Sequence, residues 1–165
     1  MALKEKVHQD LNEAVKKGEE LRTSVLRMLS AAILNKEKEK RYKISKQKAD
    51  LKKEELVKES EVLDEEVLDV ISSEVKKRKE AIFEFEKGKR QDLADKEKKE
   101  MEILQKYLPE QLSEEELKKM AKEAIEKVDA KEPKDMGKVM AELMPKVKGR
   151  ADGFQVNKIV RDLLS

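Results

Sequence analysis

Cysteine and tryptophan are absent from this chain, histidine occurs once, and aromatic residues make up only 3% of 165 positions. Without cysteine there is no disulfide, no thiol nucleophile and no thiolate metal ligand. Only 5 glycines and 3 prolines are present. No GxxxxGK[ST] loop, GxSxG elbow or dinucleotide fingerprint occurs, and so few glycines leave no room for a Gly-rich phosphate cradle. The single histidine, His8, sits between Val7 and Gln9 on a helical stretch with no local partner to orient it as a general base. No apolar run approaches the roughly 20 residues that span a bilayer. The start, MALKEKVHQD, lacks the apolar segment of a secretory signal. These absences point to a soluble, cytoplasmic protein that needs no cofactor or metal and is not catalytic by itself.

What the chain does have is charge. Charged residues make up 46% of it, yet 39 basic side chains nearly balance 37 acidic ones, leaving a net charge of +2. So small a net charge, with apolar residues recurring at helical spacing, argues for folded helices over disorder. A pI near 8.5 does not itself establish a nucleic-acid partner, so the distribution of charge carries more information than its sum.

Leu3, Val7, Leu11, Ala14 and Val15 define an amphipathic helix over 3–17 that Gly18 stops. Leu21, Val25, Met28, Leu29, Ala32 and Ile33 predict the buried stripe of a second helix, and the short link makes the two an antiparallel hairpin. From Lys36 to Glu59, ten basic and six acidic residues surround sparse apolar ones. That segment reads as a solvated helical extension, a flexible arm or an RNA-contacting basic arm. Asp64 is placed to cap a third helix that carries Val67, Leu68, Ile71, Val75, Ile82 and Phe85 and ends at Gly88.

A fourth helix spans about 91–108 before Pro109. Ser113 and Glu116 make a capping box for the next, and Pro133 suits the first turn of its successor. A final helix starts at Asp152, with Gln155 at the reciprocal capping position and Val156, Ile159, Val160, Leu163 and Leu164 facing inward. No segment alternates like a strand. The expected fold is all-α: a long N-terminal helical hairpin region over 1–90 and a compact C-terminal helical domain over 91–165.

The stretch MPKVKGRADGFQVNKIV is the least generic. Gly149 can terminate one helix in the left-handed conformation, and Gly153 permits a tight start or close approach of another backbone. Lys146, Lys148 and Arg150 lie in the link, with Lys158 and Arg161 on the helix beyond. Cations, helix dipole and free amides together suit phosphate, which makes these five the candidate RNA-binding residues. The Met136, Met140 and Met144 edge reads either as core or as a docking edge for a protein partner.

PKDMGKVMAELMPKVKGRADGFQVNKIVRDLL resembles the C-terminal signature of the GatB/YqeY family. LRTSVLRML, EVKKRKEAIFEFEKGKRQDL and EILQKYLPEQLSEEEL extend the resemblance over essentially the whole chain, as in the stand-alone YqeY-like members. The family pattern falls on Gly137, Gly149, Ala151, Asp152, Val156 and Asn157. In that family the same tail ends the B subunit of tRNA-dependent amidotransferases, where it helps hold tRNA while glutamine hydrolysis and ATP use reside elsewhere. The resemblance therefore implies a non-catalytic module contacting tRNA or other structured RNA. It equally allows an accessory component of carbon–nitrogen ligation with glutamine as amide donor, acting only with partner subunits. Lys36 to Glu59 is longer and richer in lysine than the family's usual connection.

Overall fold

Leucine, isoleucine and valine at steps of three and four build nearly all of this molecule. The computed structural model describes residues Met1–Ser165. It is all-α, with helices α1 (Leu3–Lys17), α2 (Glu20–Gln47), α3 (Lys53–Glu59), α4 (Asp64–Lys87), α5 (Gln91–Gln105), α6 (Glu114–Lys127), α7 (Met136–Val147) and α8 (Gly153–Leu164). The chain divides into two compact units, Met1–Tyr107 and Leu108–Ser165. The expected division at residue 90 would have put α5 in the second unit. Instead α5 lies along α4, burying Ala94 and Leu104, because its apolar stripe completes the face that α4 offers.

In the first unit, α1 buries Val7 and Ala14 and closes at Gly18, which is left-handed at φ 67°. The amide of Glu19 then reaches the Ala14 carbonyl at 3.0 Å, a helix-ending bond that suits glycine at this position. Returning against it, α2 buries Val25, Leu26, Leu29 and Ile33. Leu21 and Met28, expected in that stripe, are instead exposed at 36% and 51%. The stripe is centred between Val25 and Leu26, which leaves both of them well round the helix from it.

Residues 36–59 are helical for most of their length. Glu37 is buried and ion-paired with Lys4 of α1. Lys40 reaches Glu66 at 2.7 Å, Arg41 Nε donates to Ser60 Oγ at 3.0 Å, and Lys48 pairs with Glu59 at 2.7 Å. These bonds fold the lysine-rich extension of α2 back against α3 and the start of α4.

Asp64 does not cap α4. It is the first helical residue, and its carboxylate accepts the Leu3 amide at 2.7 Å, tying α4 to the start of α1. Glu66 supplies the local closure instead, accepting from the Leu63 amide at 2.9 Å. Gly88 does end the helix, but at φ −78°; the left-handed residue is Lys89, at φ 57°. Midway along α4, Arg78 is only 5% exposed between Glu74 at 3.1 Å and Glu100 of α5 at 3.2 Å.

The second unit is a three-helix cluster of α6, α7 and α8 with its own apolar core. Leu117, Ala121, Val139, Leu143, Val147, Val156 and Val160 are fully buried there. Ser113 Oγ accepts the Glu116 amide at 3.2 Å while Glu116 accepts the Ser113 amide at 2.8 Å, the reciprocal cap expected of that pair. Pro133 opens a short 3-10 turn, Pro133–Asp135, that leads into α7. No helix is long and apolar enough to cross a membrane.

Candidate nucleic-acid interface

The link between α7 and α8 is fixed in place by backbone bonding. Gly149 takes φ 72° and turns the chain, so that the Arg150 and Ala151 amides both return to the Val147 carbonyl, at 2.9 and 3.1 Å. The segment before α6 then holds the turn from outside. Gln111 Nε2 donates to the Gly149 carbonyl at 2.7 Å, and the Leu112 amide donates to the Arg150 carbonyl at 2.8 Å. Arg150 Nε donates to the Glu110 carbonyl at 3.1 Å.

At the start of α8, Asp152 accepts the Phe154 amide at 2.7 Å, so its carboxylate occupies the position where an external anion would meet the helix dipole. Gln155 takes no part in this cap and lies in the wall of a neighbouring groove. Gly153 has an ordinary φ and open space where a Cβ would stand, so no close backbone approach requires a glycine there.

The family-pattern residues take structural positions. Gly149 provides the left-handed turn, Asp152 caps α8, Val156 is fully buried, and Ala151 packs against the core. Asn157 accepts from Arg161 at 3.3 Å, and Gly137 sits in the first turn of α7 with open space around it.

The five candidate cations separate into two groups. Lys146 is ion-paired with Glu142 at 2.6 Å, and that carboxylate also holds Lys127 of α6 at 2.7 Å. Hydrogen bonds from Lys127 and Lys146 pull the Glu142 carboxyl down to about 2. Lys148 is half-buried in the link, and Arg150 braces it. Lys158 and Arg161 differ: both are exposed on α8, Lys158 forms no ion pair, and Arg161 bonds only the neutral amide oxygen of Asn157. The structure therefore brings these two together and commits Lys146 and Arg150 to intramolecular contacts.

Beside them stands a residue that sequence reasoning passed over. Phe154 is 75% exposed. With Lys158 and Arg161 it occupies positions i, i+4 and i+7, one outward stripe of α8. Helical spacing alone could have found it, since Phe154 falls opposite the buried Val156, Val160 and Leu164. The stripe borders a groove of about 400 Å³ between α6 and α8, floored by Ile159 and Leu163. On the α6 side Glu114 and Lys118 pair at 2.6 Å, and that bond lowers the Glu114 pKa, with the charge of Lys158 adding to the effect.

Elsewhere, His8 is exposed with Nδ1 3.2 Å from the Lys4 carbonyl oxygen. In the first unit, Tyr107 donates to Asp10 at 2.6 Å, and burial, reinforced by that bond, raises its pKa well above the ordinary tyrosine value.

Comparison with known proteins places these elements in a wider group. The family model described as "Yqey-like protein" matches residues 33–164, which includes all of the second unit except its last residue. A curated relative from Pyrenophora tritici-repentis, "Altered inheritance of mitochondria protein 41, mitochondrial", is 32% identical over 98 residues, 58% of this chain and 54% of that protein. An uncharacterized protein of Schizosaccharomyces pombe is 46% identical over 44 residues, 27% of this chain and 36% of that protein. The chain thus spans about half the length of the first relative and about a third of the second.

Proposed function

The chain belongs to the YqeY-like protein family, and from that premise we propose that its C-terminal unit is a non-catalytic module that contacts RNA, with tRNA as the first candidate. The observation that carries this reading is the outward stripe of α8, where Phe154 stands beside Lys158, which forms no ion pair, and Arg161, whose side chain bonds only a neutral amide. Lys158 and Arg161 supply phosphate contacts, whose affinity is sequence-independent and falls with salt. Phe154 supplies one aromatic face on which an unstacked base of a loop or strand end can rest, worth about 1–3 kcal/mol per stacked base. Single-stranded and loop regions are where such stacking is available, because a paired base keeps its faces covered.

Lys146 and Arg150 contribute less, one being neutralised by Glu142 and the other spent on the link. The resemblance to the amidotransferase tail supplies the class of RNA. The test is fluorescence anisotropy with labelled tRNA and a labelled single strand. The double variant K158E/R161E is expected to weaken both, F154A to weaken the single strand more than the tRNA, and K146E to change little. Equal affinity of K158E/R161E and the parent chain for tRNA would reject the site.

A further inference from the structure

The groove between α6 and α8 differs in chemistry from the stripe it borders. Its floor is apolar, made by Ile159 and Leu163, and the exposed ring of Phe154 stands at its rim. The charges of its walls cancel, with Lys118 and Lys158 set against Glu114 and Asp162. Glu114 holds Lys118 at 2.6 Å, the charge of Lys158 also acts on Glu114, and that of Asp162 acts on Lys118. The remaining polar side chain of the lining is Gln155, whose amide forms no hydrogen bond within the chain.

These features select the occupant. A phosphate is unsuited to a groove whose two carboxylates match its two cations. A wholly apolar ligand would cover the Gln155 amide without bonding it, which costs the desolvation of that amide. What suits the groove is a neutral planar ring that carries a donor beside an acceptor on its edge. A volume of about 400 Å³ is that of a small-ligand pocket, in which apolar walls hold the body and a few polar groups read the edge. An unstacked nucleobase is such a ring, and single-stranded RNA is read along these exposed edges. Adenine presents an amino donor next to a ring-nitrogen acceptor, the pair that a glutamine amide meets with two hydrogen bonds. Lys158 both lines the groove and stands in the outward stripe, so a nucleotide whose base enters the groove keeps its phosphate beside that cation.

We propose that the α6–α8 groove takes one unstacked adenine of the bound RNA, with Gln155 hydrogen-bonding the edge of the base. The inference rests on the RNA reading above and adds base selectivity to it, which phosphate contacts do not provide.

The test is fluorescence anisotropy of the full chain with a short labelled oligouridine and with the same strand carrying one central adenine, cytosine or guanine. The adenine strand should bind about fivefold or more tighter than the oligouridine, and in Q155L the two should bind alike. Replacing that adenine with purine, which lacks the amino group, should abolish the preference in the parent chain and have no further effect in Q155L. Circular dichroism of Q155L should match the parent, because the position is only partly buried. Equal binding of all four strands, each weakened by K158E/R161E, overturns this inference and leaves the RNA reading standing. An adenine preference that Q155L retains also overturns it. Binding that K158E/R161E leaves unchanged for every strand sinks the RNA reading, and the inference falls with it.

Discussion

Replacing Leu143 with alanine strikes the centre of the second unit. Leu143 is fully buried in α7, within a core that also contains Leu117, Val139 and Val160. Removing the isopropyl group beyond its β-carbon forfeits about 0.8 kcal/mol for each buried methylene-sized group. The space left behind adds a cavity term, and measured Leu→Ala costs in close-packed cores run about 2.7–5 kcal/mol. The unit that must absorb this loss has roughly sixty residues. At about 0.05–0.15 kcal/mol per residue, its total stability is about 3–9 kcal/mol. The substitution therefore removes much or all of it, while the first unit keeps its own core of Leu26, Leu29, Ile33, Val67, Ile71 and Leu104.

Urea unfolding followed by far-UV circular dichroism checks this. Leu143→Ala is expected to lose about a third of the helical signal early, in a transition with a small m-value, because m scales with the surface exposed. The remaining signal should unfold where the parent's first unit does. One transition for the whole variant chain, or a cost below about 1 kcal/mol, would refute the claim that the unit stands on a separate core.

The remaining predictions concern charge. Arg78→Ala should destabilise the first unit by about 3 kcal/mol in the same assay, since it leaves the nearly buried Glu100 without its partner and Glu74 with Lys77 alone. R78M/E74Q/E100Q should recover most of that. The Glu142 carboxyl is held at about 2, below its ordinary 4.5, by hydrogen bonds from Lys127 and Lys146. Its contribution to stability is therefore fully present above about pH 5 and lost as pH falls from about 4.5 toward 2. A carbon-13 titration of the side-chain carboxyl should show the low midpoint, and K127A/K146A should return it upward.

Local signals carried much of the architecture. Gly18, the Ser113–Glu116 pair, Pro133 and Asp152 act where the sequence puts them, because caps and turns depend on residues only a few positions apart. The features that escaped are long-range. Asp64 looks like a helix cap until the Leu3 amide, sixty-one positions away, takes its carboxylate. Leu21 and Met28 share the spacing of a buried stripe, and only the placement of α1 and α4 decides which arc of α2 is covered. α5 joins the first unit through packing that no composition change announces. In the candidate site, the clustering of cations near Gly149 was visible in the residues. Which of them stay available was not, because Arg150 is taken by the Glu110 carbonyl and Lys146 by a carboxylate that α6 and α7 share. Phe154 lies off the inward-facing positions 156, 159, 160, 163 and 164, so its exposure follows from helical spacing.

The central claim is that Lys158 and Arg161, exposed on the outer stripe of α8, meet RNA phosphates. Its most direct measurement is the salt dependence of tRNA binding by the parent chain and by K158E/R161E, read as the slope of log K against log salt concentration. Loss of two phosphate contacts should flatten that slope by about 1.5, in addition to lowering affinity at any one salt concentration. Parallel lines for the two proteins would contradict it.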